Sequence, residues 1–590
     1  MITREQIDAA WQTVRTTLLE QRVPSGHWEG ELSSSALSTA TAVVALSFSG
    51  PKYQHLIQSG LDWLIQNQNS DGGWGDTTKS FSNISTTMLC YAAFKRNPHP
   101  ASGAAMAQCE QWLSSYGSTP EELAEAIRAR YGKDRTFSVP ILMMAALANL
   151  ISWREVPRLP FELAALPSSW YRFARLPVVS YALPALIAIG QTVQAHRGSW
   201  NPISSTIRWW CRNRTLRKLR TIQPTSGGYL EATPLTSFVV MSLASLPYRT
   251  TDSEAVMAAG LQFLEDSVRP DGSWPIDTNL AIWVTTLSVN ALAAGNDLPT
   301  ETERAPLFDW IADQQTRTRH PYTDADPGGW GWTDFSGSVP DADDTPGAWL
   351  ALMNLDANRG VEAIARPEWL LNLQNTDGGW PTFCRGWGTL PFDRSGADLT
   401  AHAIRALNRY CQLQPNSPHA SRMKRAVERG FRYLARQQAA DGSWLPLWFG
   451  NQHAPDDINP VYGTSRVLAC YLEADGTTDP AYQRGVAFLM KFQNSDGGWG
   501  GAANTPSTVE ETALALDVLV RAVPTEHPTI QNGYQYLLQQ IAEESWTTPS
   551  PIGFYFAKLW YFEKMYPLVY VSTAIGRLRI LMQSSSTVPG

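Results

Sequence analysis

The chain has 590 residues and a formal net charge of -7, so it lacks the excess of Lys and Arg that a phosphate-tracking surface needs, and nucleic acid is excluded as a partner. Its hydrophobic content of 43% is ordinary, but 24 Trp, 20 Tyr and 19 Phe are an unusual aromatic supply. Cys90, Cys109, Cys211, Cys384, Cys411 and Cys470 form no CxxC pair, which argues against a disulfide framework or a zinc site and for a reduced, intracellular compartment.

In chain order, the opening MITREQIDAAWQTVR has no apolar core segment, so no secretory signal is expected, and nowhere do the roughly 18 to 20 uninterrupted apolar residues of a spanning helix occur. LDWLIQNQNSDGGWG then joins an apolar helical pattern to Asn-Ser-Asp-Gly turn chemistry and a Trp, with Gln68 six residues before Trp74. The same unit returns as Gln374 with Trp380, Gln438 with Trp444 and Gln493 with Trp499, and in weaker form as Val268 with Trp274 and Gln540 with Trp546. Recurrence of this kind predicts stacked helix-turn-helix pairs, an α-solenoid or, if the array closes, an α/α barrel. The Gln and Trp side chains are read as structural: Gln caps neighbouring helix ends and Trp fills the gap between them.

Between the first two copies, residues 159–190 are strongly apolar but broken by Pro160, Pro167, Pro177 and Pro184, too interrupted to span a bilayer. Five basic residues follow between Arg212 and Arg220, and an apolar plateau rimmed by Arg and Lys is the pattern of a protein lying on anionic lipid. The bland alternative is a buried helix followed by a solvated charge run.

VPDADDTPGAW, residues 339–349, crowds Asp341, Asp343 and Asp344 beside the start of an apolar helix. Like charges this close make one another harder to ionise. As structure alone, Asp344 or Thr345 would cap a helix whose first residue is Pro346. DRSGADLTAHAIRAL places Asp398 and His402 four apart, on one helical face. No alternating oxygen ligands suggest calcium, and DDINP at Asp456 lacks the last acid of a diphosphate-magnesium cluster, so no metal is expected.

The Gln-Trp repeats together with PDADDT resemble the squalene-hopene cyclase family, the bacterial class II triterpene cyclases, over nearly the whole chain. The resemblance implies an all-α fold of two α/α barrels around a large apolar cavity, with residues 1–12 and 268–590 forming the C-terminal barrel and 13–267 an inserted barrel. It also implies a linear polyprene substrate, squalene by family frequency, protonated at one end and closed ring by ring without cofactor. Asp343 would give the proton, supported by Asp341, Asp344, His402 and Asp398. A migrating carbocation needs π faces rather than nucleophiles, and the positions resembling the family's cavity wall are Trp153, Trp283, Trp332, Phe383, Trp448, Tyr462, Tyr555 and Phe562. Residues 159–190 and 212–220 resemble the family's monotopic membrane contact, on the cytoplasmic face, and a homodimer is compatible with it.

Two departures stand out. Leu89 and Val139 fall where hopene cyclases carry Glu and Arg, and SPIGFYFAKLWYF offers Pro551, Tyr555, Leu559 and Phe562 to the late-ring wall. Both leave open a shorter or hybrid prenyl substrate, such as a diterpene precursor or a prenylated aromatic. Other classes fit less well. Protein prenyltransferases share the DGGW turn but need a zinc ion that no Cys here supports, and an α/α-barrel glycosidase needs two separated carboxylates rather than three clustered ones. A non-catalytic repeat scaffold would need no acid triad.

Overall fold

A computed structural model describes residues 1–132, 135–175, 181–198, 201–321, 323–554 and 558–585. Apart from three two-stranded ribbons, its regular elements are helices arranged in two concentric-ring barrels. In the first barrel an inner ring of five helices, Ala36–Ser47, Ile84–Arg96, Arg135–Leu147, Leu183–Arg197 and Thr233–Ala244, closes on itself. In the second, six inner helices do so: Ala281–Ala294, Asp344–Leu355, Ala397–Leu413, Pro460–Glu473, Val509–Ala522 and Met565–Ser585.

Composition decides which helix goes inside. ALSTATAVVALS, the helix Ala36–Ser47, buries every residue but the last, so it must be covered on all sides. ASRMKRAVERGFRYLARQ, the outer helix Ala420–Gln437, buries only Ala420, Met423, Ala426, Gly430, Tyr433 and Leu434 and turns its Arg and Glu residues outward.

The core of the second barrel takes in Ile7, Trp11, Val14, Leu18, Trp28 and Leu32 together with residues 276–578, because the helix Arg4–Glu20 lies along Met565–Ser585. The chain therefore leaves that core after Leu32 rather than after residue 12, and it returns between Trp274 and Ile276 rather than at 268. Hydrogen bonds join the barrels: Ser33 N–H donates to the Phe562 carbonyl (2.8 Å), Trp560 N–H to Asp76 (2.9 Å) and Gly337 N–H to Glu231 (2.7 Å).

The repeats act as joints between helix pairs. In each strong copy the Trp indole N–H donates to the carbonyl ten residues earlier, at 2.8 Å for Trp74 on Leu64, Trp380 on Leu370, Trp444 on Leu434 and Trp499 on Leu489. The Gln amide bridges two backbone carbonyls: Gln374 bonds Gly378 (2.8 Å) and Ala426 (2.9 Å), tying its turn to the next outer helix. Close approach demands Gly at two points: Gly442 in the turn has φ +94°, and a Cβ on Gly485 would sit 2.8 Å from the Trp444 ring.

Three joints escape the sequence pattern. Gln223 bridges Gly227 and Val256 with Tyr229 standing in for Trp, Gln315 works with Trp330 across a lengthened loop, and Trp28 bonds Leu18 without a Gln. Gln540, by contrast, accepts from the Ser545 hydroxyl instead of bridging helices. Gln374→Ala should therefore lower unfolding free energy by about 1–3 kcal/mol, the cost of buried carbonyls left unpaired, whereas Gln540→Ala should change it by less than about 0.5 kcal/mol. Equal effects in urea unfolding would show that the bridge contributes nothing.

Candidate active site

The inner helices of the second barrel bring their first turns to a common end. Asp343 is the residue immediately before Asp344–Leu355, so the helix begins two residues earlier than Pro346, and the cap is not Asp344 or Thr345. The capping is done from outside the helix: Asp341 Oδ1 accepts the N–H groups of both Asp343 and Asp344, each at 2.7 Å. Thr345 instead clamps Trp330, accepting its N–H at 2.9 Å.

The three carboxyls differ in access. Asp341 and Asp344 are buried, at 3% and 4% exposure, whereas the Asp343 side chain keeps 23%. Burial pushes both Asp341 and Asp344 above the ordinary carboxylate range, and for Asp344 the neighbouring charge of Asp341 adds to the rise. The pair thus carries less negative charge than two free acids would.

Asp343 Oδ1 lies 2.8 Å from His402 Nδ1. Burial lowers the imidazole's affinity for a second proton, and contact with Asp343 opposes that shift. Asp398, one helical turn before His402, accepts the Leu447 N–H at 3.0 Å, and burial, then the charge of Asp343, lift its pKa to about 7.

Of the aromatic positions, the structure gathers most around this acid. The Trp283 ring meets His402 edge-on at 6.3 Å, and its N–H donates to the Tyr566 hydroxyl (3.2 Å). Tyr462 packs on Phe449 at 4.6 Å. Phe383 joins Trp448 (5.9 Å) and Trp332 (6.1 Å), and Trp448 donates to the Thr382 hydroxyl, whose residue accepts the Ala342 N–H beside Asp343.

Two positions lie elsewhere. Trp153 stacks on His196 at 4.3 Å beside an outer cleft of the first barrel. Phe562 sits under the Lys79 ammonium (4.9 Å) between the barrels, and it is the preceding residue, Tyr561, whose hydroxyl meets Tyr566 (2.9 Å). A one-residue slip along the strand Leu559–Tyr561 accounts for this, since successive strand side chains face opposite ways. Tyr555 lies outside the described residues. Leu89 and Val139 are wholly buried in the first core.

Sequence reasoning missed Tyr561, Tyr566 and Phe449, which carry no motif, and Arg466. Arg466 follows Tyr462 by one turn, its guanidinium carbon stands 5.9 Å from that ring, and among the described residues it makes no ion pair. Its charge, with that of Arg405, disfavours an imidazolium at His402. Among the described residues no group of three or more His, Cys, Asp or Glu side chains could hold a metal ion.

Residues 280–580 match the squalene-hopene cyclase C-terminal domain and residues 12–189 the N-terminal domain. A probable squalene-hopene cyclase from Sinorhizobium fredii is 26% identical, over 96% of each chain. Drimenyl diphosphate synthase from Streptomyces showdoensis is 30% identical over 48% of this chain and 47% of its own length. The chain spans about half the length of some other curated relatives. Among solved structures, ent-copalyl diphosphate synthase from Streptomyces platensis superposes with a TM-score of 0.61 at 18% identity, over 98% of this chain and 99% of that one, a likeness of fold. With the acid motif at the head of a barrel helix and both domains matched, this chain belongs to the squalene-hopene cyclase family of class II terpene cyclases.

Proposed function

We propose that the protein protonates one end of a linear isoprenoid with Asp343 and lets the chain close through a carbocation cascade, converting squalene, the substrate in its relatives' names, into a polycyclic hopene-like triterpene. The observation that carries the reading is the contrast among three clustered acids: two are buried in the protein, and the third keeps access and a histidine partner. In the first step the alkene π electrons take the Asp343 proton, a C–H bond forms, and a tertiary cation and a carboxylate result. His402 N–H bonds that carboxylate, and the N-terminus of Asp344–Leu355 favours its negative charge, with Asp398 one turn before His402 on the same helix. Trp283, Trp332, Phe383, Trp448 and Tyr462 offer π faces to the cation as it moves, without a nucleophile that would capture it.

A second reading, cyclisation of a shorter prenyl substrate, is favoured by the similarity to drimenyl diphosphate synthase and by the altered late-ring wall. Access to either substrate would come from a membrane surface. No helix among the described residues is long and apolar enough to cross a bilayer, yet Phe173 (93% exposed), Trp210 (81%), Ile203 (72%) and Trp170 (60%) point outward. The contact would comprise these residues, not the whole of 159–190, because Leu183–Arg197 is buried in the inner ring.

The deciding experiment incubates detergent-purified protein with squalene, farnesyl and geranylgeranyl diphosphates and prenylated phenols, then identifies products by mass spectrometry. Cyclised isomers of at least one are expected. Absence of any cyclic product from all of them, in protein that cosediments with lipid vesicles, would sink the reading.

A further inference from the structure

A cleft of about 420 Å³ opens between residues 172–175, 323–326, 369–376 and 383–386, and its two ends differ in chemistry. The inner end is Phe383, whose ring also meets Tyr181 (4.7 Å) and Phe392 (5.3 Å), so this side is continuous with the aromatic group beside the acid motif. The rest of the lining includes Arg172, Arg175 and Arg385 with Asn372.

Charge does not balance there. The two acids of the cleft, Asp324 and Asp326, are both engaged by Arg172 and Arg319, at 2.5–3.5 Å. Arg429 is engaged by the carbonyls of Asn375 and Thr376, and Arg422 by the Asn372 side chain. Arg175 and Arg385 have no carboxylate within ion-pair distance among the described residues. Partial burial, then the charges of Arg175, Arg429 and Arg422, pull the Arg385 pKa down, as expected of a cation kept among cations. Two arginines left without an acid in a cleft that ends on aromatic rings lack an anion, and planar guanidinium groups match phosphate oxygens.

We propose that Arg175 and Arg385 bind the phosphate or diphosphate head of an isoprenoid substrate, whose prenyl chain passes Phe383 towards the aromatic group beside the acid motif. The inference rests on the second reading above, cyclisation of a shorter prenyl substrate, and refines it: the head stays intact, its ester bond unbroken, because the cascade begins with protonation of the alkene. A head-bearing prenyl chain would then be a better substrate than the neutral hydrocarbon squalene.

The test compares farnesyl diphosphate with farnesol, and geranylgeranyl diphosphate with geranylgeraniol, in neutral detergent micelles. Arg385→Gln should raise KM for the diphosphates about tenfold or more, with kcat nearly unchanged and the alcohols unaffected, and Arg385→Lys should recover part of the loss. An unchanged KM, or one raised equally for diphosphate and alcohol, overturns the proposal. So does loss of binding to phosphatidylglycerol vesicles, relative to phosphatidylcholine, without an effect on the diphosphates: the arginines would then read lipid phosphate. If wild-type protein cyclises nothing, the cyclase reading has failed, and calorimetric titration of farnesyl diphosphate into Asp343→Asn and Asp343→Asn/Arg385→Gln decides the head site alone. About tenfold weaker binding in the double variant supports the site, and equal binding overturns it.

Discussion

Asp343→Asn is expected to reduce product formation at least about 10³-fold, the scale of removing a positioned general acid, while leaving the melting temperature within a few degrees of wild type. The asymmetry of the triad gives the reason. Asn can keep the bond to His402, and neither of the two capping N–H bonds ends on residue 343, since both go to Asp341. What Asn cannot do is surrender a proton to carbon. Asp341→Asn and Asp344→Asn should cost less in chemistry and more in folding, because both carboxyls are buried and that of Asp341 holds the turn that precedes the helix. Product from Asp343→Asn above about a tenth of the wild-type yield, measured by gas chromatography in single-turnover mixtures, would assign the proton to another group.

How far this could be read from sequence varies with the range of the interaction. The Gln-Trp joints are local: the Trp bond to the carbonyl ten residues back lies within one helix-turn segment, so composition and spacing reveal it. Where a loop lengthens, as between Gln315 and Trp330, or where Tyr229 replaces Trp, the same joint forms and the spacing no longer shows it. Closure of the rings brings together helices far apart in sequence, such as Ala281–Ala294 with Met565–Ser585, and no local pattern specifies that pairing. The acid site divides likewise. Asp341, Asp343 and Asp344 are neighbours in the chain, and Asp398 with His402 follows helical spacing, so these were legible. Tyr566 reaches Trp283 across 283 residues, and Arg466 stands out only once the Tyr462 ring beside it is known. Residues 561 and 562 show the limit of register: both are aromatic, and only strand direction decides which of them faces Tyr566.

The second large effect concerns stability and its dependence on pH. Asp398 is 5% exposed, and its pKa rises from 3.8 to about 7, chiefly through burial and then through the charge of Asp343. The folded chain therefore retains this proton up to about pH 7, while the unfolded chain releases it near pH 4. Between those limits the folded state binds more protons, so Asp398 makes folding less favourable as pH rises, and the penalty is complete above its folded pKa. An asparagine at this position titrates in neither state and can still accept the Leu447 N–H through its side-chain oxygen. Asp398→Asn should thus match wild type near pH 4 and exceed it by about 2–4 kcal/mol near pH 8, at about 1.4 kcal/mol per unit of pKa shift, read as a growing gap in urea midpoints. A gap independent of pH would mean that Asp398 is not strained by its burial. A gap that opens with pH while turnover falls would identify Asp398 as a group held at a cost to stability for the sake of the acid beside it.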